Sequence, residues 1–252
     1  MNTPLLGVRG LELRVGRRVL VRDLAFAVHA GERWVVLGPN GAGKSSLLGV
    51  LAGVRCAWAG EVLLQGTSLS VLSMDLAARR RALVADRWID AFASSVLETV
   101  LTSRYVFGAD ADGLALAQSM LTLMDCSEFS GRDVRELSRG ERQRVAIATA
   151  LAQAAPLVLM DEPTAHQDPR HQALVLSRLA ALSGRSFVAA IHDLNAASHF
   201  ATHVLLLDGA GHWRAGPVAE VLTAAHLSEL FETEVREVGA KGESVFVTRW
   251  PG

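Results

Sequence analysis

A glycine-rich segment reads Gly38-Pro39-Asn40-Gly41-Ala42-Gly43-Lys44-Ser45, and Ser46 follows it. Two glycines five positions apart, followed by lysine and serine, allow backbone amides to converge on phosphate oxygens. A helix beginning here would direct the positive end of its dipole toward the same charge. We expect Lys44 to contact the β and γ phosphates of ATP and the hydroxyl of Ser45 to bind Mg²⁺. The simpler alternative is a glycine-rich turn with a lysine in it by chance.

Two adjacent carboxylates, Asp161 and Glu162, end the apolar run from Leu157 to Met160. Successive strand residues point to opposite sides, so the two carboxylates can take different roles. We expect Asp161 to hold Mg²⁺ directly or through water, and Glu162 to polarise the water that attacks the γ phosphate. Carboxylates at strand ends are also common as helix caps, so this motif gains its meaning from the phosphate-binding segment. Together the two motifs predict ATP hydrolysis.

A third motif begins at Ser138, where Glu141 follows three residues later and a helical pattern starts. In a capping box of this spacing, the serine side chain and the glutamate side chain each accept a hydrogen bond from the other residue's backbone amide. The spacing alone predicts a well-capped helix.

Strands and helices must bring these motifs together. From Leu5 to Val28 the hydrophobicity alternates with period two and is broken at Gly16-Arg17-Arg18, which predicts two antiparallel strands joined by a turn. Between about Asp86 and Ala154 the pattern is helical. After Pro156, strands and helices alternate, which is typical of a parallel sheet buried on both faces. Other predicted strands are Trp34 to Leu37, Glu61 to Leu64, Leu157 to Met160, Phe187 to Ile191 and Val204 to Leu207, and other predicted helices are Lys44 to Ala52, Ser94 to Ser103, Leu114 to Met124 and about Glu220 to Phe231.

Composition narrows the class of protein. The chain has 252 residues and a formal net charge of -1, so no basic excess favours nucleic acid as a partner. The chain has 25 lysines and arginines, and only Lys44 and Lys241 are lysines. One of these two rare lysines lies in the glycine-rich segment, where a phosphate site needs it. Cys56 and Cys126 are too few and too far apart for a disulfide framework. No apolar stretch resembles a secretory signal or approaches the roughly 18 residues that span a bilayer, and we expect a cytosolic protein.

The segment Leu137-Ser138-Arg139-Gly140-Glu141 resembles the signature Leu-Ser-Gly-Gly-Gln of ABC-type ATPases. The motif order is also that of the family: phosphate loop, helical insert, signature, carboxylate strand and a later histidine, His192. The resemblance covers nearly the whole chain and implies an α/β fold. It implies one domain over residues 1–252, with a P-loop NTPase core at 1–85 and 156–252. That core would carry an N-terminal antiparallel β subdomain, and an α-helical subdomain would be inserted at 86–155.

Subunits of that family pair head to tail around ATP. The resemblance therefore implies a homodimer in which Ser138, Gly140 and Glu141 of one copy face the nucleotide of the other copy. A helix N-terminus suits this role because it binds anions without a full positive charge. The loop Ala165 to Asp168 would cross the dimer interface. His192 would contact the γ phosphate and act with Glu162 in catalysis, although a lone histidine is more often structural.

Three positions depart from the family pattern. Asp86 stands where the family has a glutamine that contacts Mg²⁺, and we expect Asp86 to serve as a metal ligand. Val15 occupies the approximate place of an aromatic residue that stacks on adenine. Arg139 replaces the first signature glycine. We hypothesise that these changes slow turnover without abolishing it.

His199 and His203 lie four residues apart, which on a helix would put them on one face and could indicate a metal site. No glutamate follows His199 to complete a zinc-protease motif, so we expect surface or packing roles.

Two segments, Asp90 to Val100 and His192 to Ala197, with Gly216-Pro217 and Glu220 to Leu222, look like those of ATPases that serve importers of iron chelates, haem and cobalamin. That likeness implies an integral membrane permease docked near Asp86 to Thr102, and indirectly a periplasmic or extracellular binding protein. The chain would then lie at the cytoplasmic face of the inner or plasma membrane. The alternatives are an importer of another substrate, a soluble ABC ATPase acting outside transport, and a small-molecule kinase.

Overall fold

The computed structural model describes residues 3–86, 93–108, 110–240 and 243–249. The strands in these ranges are β1 (Leu6–Val15), β2 (Arg18–Val28), β3 (Arg33–Leu37), β4 (Ala59–Leu64), β5 (Thr67–Ser68), β6 (Arg81–Val84), β7 (Leu157–Asp161), β8 (Ser186–Ala190), β9 (His203–Leu207), β10 (Trp213–Pro217), β11 (Val235–Ala240) and β12 (Glu243–Thr248). The α-helices are α1 (Lys44–Leu51), α2 (Met74–Arg80), α3 (Val96–Thr102), α4 (Gly113–Leu123), α5 (Arg139–Ala152), α6 (Pro169–Ala180), α7 (Leu194–Phe200), α8 (Val218–Val221) and α9 (Ala224–Phe231).

The N-terminal strands form the predicted antiparallel sheet, with strand order β2-β1-β4-β5. Strands β1 and β2 are joined at Gly16 and Arg17, and Gly16 has a φ of 59°. Glycine adopts this left-handed conformation without steric cost, so the tight turn and its position follow from the sequence. Val15 pairs with Arg18 across the turn, and both residues are exposed.

A six-stranded sheet, with order β10-β9-β3-β8-β7-β6, forms the centre of the molecule. Strands β9, β3, β8, β7 and β6 are parallel, and β10 adds an antiparallel edge. The α/β fold predicted from the sequence is therefore confirmed. Alternate residues of β3 enter different cores: Val35 and Leu37 pack with the helical side, while Trp34 and Val36 pack with α1 and the antiparallel sheet. Burial on both faces explains why its strands read as continuous apolar runs.

Helices α3, α4 and α5 contact one another and share one hydrophobic cluster with α6 and α7. Val100, Leu121 and Ile147 are among its fully buried members. Ser95 and Glu98 form a capping box at the start of α3, which explains why this predicted helix begins where it does. The division of the chain at residues 86 and 155 stays a prediction. Residues 87–92 lie outside the described ranges, and the last three of them begin the segment Asp90 to Val100 that was likened to importers.

His199 and His203 do not share a helix face, because α7 ends at Phe200 and His203 begins β9. The His203 ring stacks on Trp34, with ring centroids 4.8 Å apart, which confirms the packing role expected of it. One local expectation is wrong. The single helix expected near Glu220 to Phe231 is divided into α8 and α9. Its second part begins anew because the hydroxyl of Thr223 caps it by accepting from the amide of His226.

Strand β6 is absent from the sequence-based predictions. It follows α2 without a connecting loop, and its first residue ends the run Arg79-Arg80-Arg81. Only Ala82 to Val84 is apolar, which is too short for periodicity to reveal. None of the helices in the described ranges is long and apolar enough to cross a membrane.

The core position of Phe187 gives a direct test of this packing. Phe187 is 1% exposed, and its ring lies 5.9 Å from that of Phe200. Because truncation leaves a cavity in a close-packed core, we expect Phe187→Ala to lower the free energy of unfolding by about 3–5 kcal/mol in a urea titration. Tyr105, which is also aromatic but 88% exposed, is the control. Tyr105→Ala should change the free energy of unfolding by less than about 0.5 kcal/mol. Equal losses in both variants would contradict this core.

Candidate nucleotide-binding site

The residues expected to do chemistry meet at one edge of the central sheet. Strands β3, β6, β7 and β8 run parallel, so their carboxyl ends lie side by side. Gly38 follows β3, Asp86 lies two residues beyond β6, Asp161 ends β7 and His192 lies two residues beyond β8. In open parallel sheets this edge is where ligands bind.

Gly38 to Ser45, called the phosphate loop below, is held tightly against its surroundings. A Cβ atom on Gly38 would lie 2.2 Å from the carbonyl oxygen of Leu207, which no side chain tolerates. A Cβ atom on Gly43, which has a φ of 100°, would lie 3.0 Å from the Leu20 side chain. The loop passes directly into α1 at Lys44, so the first amides of that helix are available to an anion.

Lys44 is almost fully buried, with 6% of its surface exposed. Its Nζ donates to the carbonyl oxygens of Gly38, at 2.7 Å, and Pro39, at 3.1 Å. Burial lowers the pKa of Lys44, while the charges of Glu162 and Asp161 oppose that shift. The ammonium group is therefore held over the phosphate loop by backbone oxygens that a phosphate oxygen could replace.

Asp161 is the buried carboxylate, 8% exposed. Burial raises its pKa; a hydrogen bond with Ser45 lowers the pKa, and the charges of Asp86 and Glu162 raise it further. Its Oδ1 is buried and has no hydrogen-bond partner among the described residues. A carboxylate oxygen left unsatisfied beside a hydroxyl fits Mg²⁺, which prefers hard oxygen ligands. No cluster of three metal-ligating side chains occurs in the described ranges, but Mg²⁺ needs only one or two carboxylates when phosphates supply other ligands.

Glu162 and His192 form a direct pair, with His192 Nε2 2.6 Å from Glu162 Oε1. Both side chains are partly exposed, at 32% for Glu162 and 45% for His192. The backbone of Glu162 adopts a φ of 51°, uncommon for a residue with a side chain. Its amide donates to Ala190 at the end of β8, and its carbonyl accepts from Gln143 Nε2 at 3.4 Å. Two backbone hydrogen bonds and the side-chain pair with His192 thus fix Glu162 at the sheet edge.

The signature residues lie at the start of α5, apart from this cluster. Ser138 and Glu141 form the predicted capping box: the Glu141 amide donates to Ser138 Oγ at 3.3 Å, and the Ser138 amide to Glu141 Oε2 at 2.7 Å. These hydrogen bonds to Ser138 lower the pKa of Glu141. A Cβ atom on Gly140 would lie 3.3 Å from the carbonyl oxygen of His166, so the loop beyond Glu162 packs against the signature.

A cavity of about 420 Å³ lies over the phosphate loop, with Val15 and Arg18 in its wall as well as Glu162 and His192. Within one chain the signature does not line it, so the structure does not bring Ser138, Gly140 and Glu141 together with Lys44. Its lining residues are Val15, Arg18, Leu20, Asn40, Gly41, Gly43, Lys44, Ser45, Ser46, Glu162 and His192. Arg18 and Leu20 are absent from the sequence-based predictions. The only signal for them is their place just after the Gly16 turn.

The close approach of Gly38 to Leu207 generates a prediction. Gly38→Ala must move the phosphate loop by about an ångström, and displacements of that size cost on the order of 10- to 100-fold in the function of a site. We expect that loss in ATP affinity by calorimetry, with the fold retained by circular dichroism. Gly131→Ala is the matched control, because a Cβ atom there would meet nothing within 4 Å. Unchanged affinity in Gly38→Ala would rule out this loop as the phosphate site.

Comparisons with known proteins agree with this geometry. Residues 21–165 match the family described as ABC transporter. The chain is 40% identical over 232 residues to the hemin import ATP-binding protein HmuV of Streptomyces coelicolor, covering 90% of this chain and 82% of that protein. It is 38% identical over 238 residues to the cobalamin import ATP-binding protein BtuD of Halobacterium salinarum, covering 91% of this chain and 59% of the relative.

Among solved structures, an inward-facing ABC transporter described as metal-chelate type superposes with a TM-score of 0.84 at 26% identity. The match covers 98% of each chain. A family match over more than half of the chain, relatives of this identity and the parallel sheet with its phosphate loop agree with one another. The chain therefore belongs to the ABC transporter family, as one of its ATP-hydrolysing, ATP-binding proteins.

Proposed function

We propose that this chain hydrolyses ATP with Mg²⁺ as a homodimer and powers an importer of a metal chelate such as haem, cobalamin or a ferric siderophore. The observation that carries the proposal is the convergence of Lys44, Glu162 and His192 on one cleft at the sheet edge. Asp161 is buried next to this cleft and hydrogen-bonds with Ser45, which lines it. The names of the two relatives support the importer and its class of cargo. An importer of another substrate is the alternative, because the cargo of such a system does not contact its ATPase.

Lys44 and the phosphate loop account for binding of the triphosphate. The ammonium group exchanges the carbonyl oxygens of Gly38 and Pro39 for β- and γ-phosphate oxygens, and the loop and α1 amides contact the remaining ones. Ser45 and Asp161 would hold Mg²⁺, with Asp86 close enough for its charge to act on Asp161. Bound there, the ion supplies neutralisation of charge that develops on the phosphates.

Glu162 and His192 account for hydrolysis. The Glu162 carboxylate orients the attacking water and accepts its proton as the bond to the γ phosphorus forms. The bond between that phosphorus and the β–γ bridging oxygen breaks, and ADP is the leaving group. His192 shares a short hydrogen bond with this carboxylate, so the imidazole fixes its orientation and lies within reach of the γ phosphate. Neither side chain is fully buried, which leaves water access to the reacting phosphate.

The position of the signature on the surface accounts for the dimer. Ser138 and Gly140 begin α5 and do not reach the phosphate loop of their own chain, but a helix N-terminus is an anion site. In the proposed homodimer each signature caps the γ phosphate bound by the other copy. ATP then joins the two subunits, hydrolysis releases them, and this motion drives an integral membrane permease. A periplasmic or extracellular binding protein would deliver the cargo, and the ATPase would lie at the cytoplasmic face of the membrane.

Glu162→Gln tests the catalytic assignment. The amide cannot accept the proton of water, so we expect ATPase activity to fall by about 100-fold or more, while ATP binding is retained. Retained binding without hydrolysis should make ATP-dependent dimers accumulate in size-exclusion chromatography. Glu220→Gln, at an exposed position of α8, is the control and should hydrolyse ATP at the wild-type rate. Wild-type hydrolysis by Glu162→Gln would exclude Glu162 as the base.

Co-purification tests the transport assignment. We expect the tagged chain, extracted in mild detergent from cells that express it naturally, to bring down a polytopic membrane protein. Reconstituted with that partner in vesicles, it should move haem or cobalamin at the expense of ATP, and Lys44→Ala should abolish the movement. Recovery of ribosomes or nucleic acid in place of a membrane protein would overturn the transport assignment and leave the ATPase assignment intact.

A further inference from the structure

The cavity over the phosphate loop continues to the turn between β1 and β2. At one end lie Glu162 and His192, which bracket the terminal phosphate in the proposed function, and Lys44 lies on the loop. The remaining wall is formed by Val15, Arg18 and Leu20. Because Glu162 and His192 lie at the end of the terminal phosphate in the proposed function, a nucleotide with its phosphates on Lys44 directs its sugar and base along the cavity toward this wall.

Aromatic side chains are missing from this wall. None of the described residues that line the cavity is phenylalanine, tyrosine or tryptophan. Leu20 is buried and packs against Gly43, so it forms the floor. Val15 is 58% exposed and offers an aliphatic surface that nothing in the described chain covers. A base in this place therefore needs a planar partner of another kind.

Arg18 offers such a plane. Its Nε and Nη2 both donate to the carbonyl oxygen of Gly209, at 3.2 and 2.9 Å, so one edge of the guanidinium is fixed. Three of its five N–H donors have no partner among the described residues. Guanidinium groups stack on aromatic rings, and arginine planes serve as stacking partners for nucleobases. Fixing one edge leaves the face of the group free and lowers the entropy cost of stacking.

We propose that Arg18, together with Val15, receives the nucleobase of the bound nucleotide in place of an aromatic residue. The proposal rests on the nucleotide site of the proposed function. Stacking on a guanidinium face and apolar contact with valine use the π-face that every base has, and neither reads the base edge. The site consequently distinguishes poorly between ATP and GTP.

A second role for Arg18 has to be separated from this one. Gly209, its hydrogen-bond partner, lies so close to the phosphate loop that a Cβ atom there would be 2.7 Å from Ala42 Cα. Arg18 could therefore support the loop without touching a base. Inorganic tripolyphosphate distinguishes the two roles, because it needs the loop and has no base.

The experiment measures binding of Mg²⁺-ATP, Mg²⁺-GTP and Mg²⁺-tripolyphosphate to the full chain by calorimetry. We expect wild-type affinities for ATP and GTP to agree within about 3-fold. Since loss of a stacking partner costs roughly 5- to 100-fold per base, Arg18→Ala should weaken both nucleotides by about 10-fold and leave tripolyphosphate within about 2-fold. Arg17→Ala is the matched control: this neighbouring arginine does not line the cavity, and its loss should change none of the three.

A variant that is expected to bind ATP more tightly gives a result that misfolding cannot produce. Val15→Trp places an indole on the same wall and should tighten ATP by about 5- to 10-fold without changing tripolyphosphate. Equal weakening of ATP and tripolyphosphate by Arg18→Ala would overturn the proposal in favour of loop support. Unchanged ATP affinity in Val15→Trp, or wild-type discrimination between ATP and GTP above about 10-fold, would also overturn it. Failure of the wild-type chain to bind either nucleotide or tripolyphosphate would instead overturn the proposed function.

Discussion

Burial of two opposite charges at the end of the parallel sheet is the constraint on which the site depends. Burial acts on Lys44 and Asp161 in opposite directions, lowering the pKa of the ammonium group and raising that of the carboxyl group. Both shifts disfavour the charged forms, so holding the two charges here carries an electrostatic cost. In the proposed function, a triphosphate beside Lys44 and a divalent cation beside Asp161 together offset that cost.

The signature helix α5 contacts the backbone of Glu162 within one chain. Gln143, one turn into α5, donates to the carbonyl oxygen of Glu162, and Gly140 packs against His166. Glu162 and His166 both adopt positive φ angles, so this short loop holds strain that its neighbours must offset. In the proposed dimer, the helix that caps the partner's ATP also supports Glu162, the proposed general base of its own site. Displacement of α5 would therefore reach both sites, which gives a physical route for the two to act together.

The phosphate-binding and carboxylate residues could be predicted from the sequence more completely than the residues that surround them. Lys44 and Asp161 lie in contiguous motifs whose neighbours in the chain are also their neighbours in space, so the strand, loop and helix around them were predictable. Arg18 could not be found in this way, because its partner Gly209 lies 191 residues away. Strand β6 depends on pairing with β7, which local hydrophobicity does not encode.

Asp86 illustrates how one departure from the family pattern changes the balance at the site. A glutamine at this position would be neutral, whereas Asp86 adds a negative charge that raises the pKa of Asp161. The charge of Glu162 raises the same pKa, and the charge of Lys44 lowers it. In the proposed function, the added charge therefore increases the demand for a cation beside the nucleotide, and nucleotide binding would depend more strongly on Mg²⁺ than with a neutral glutamine at this position.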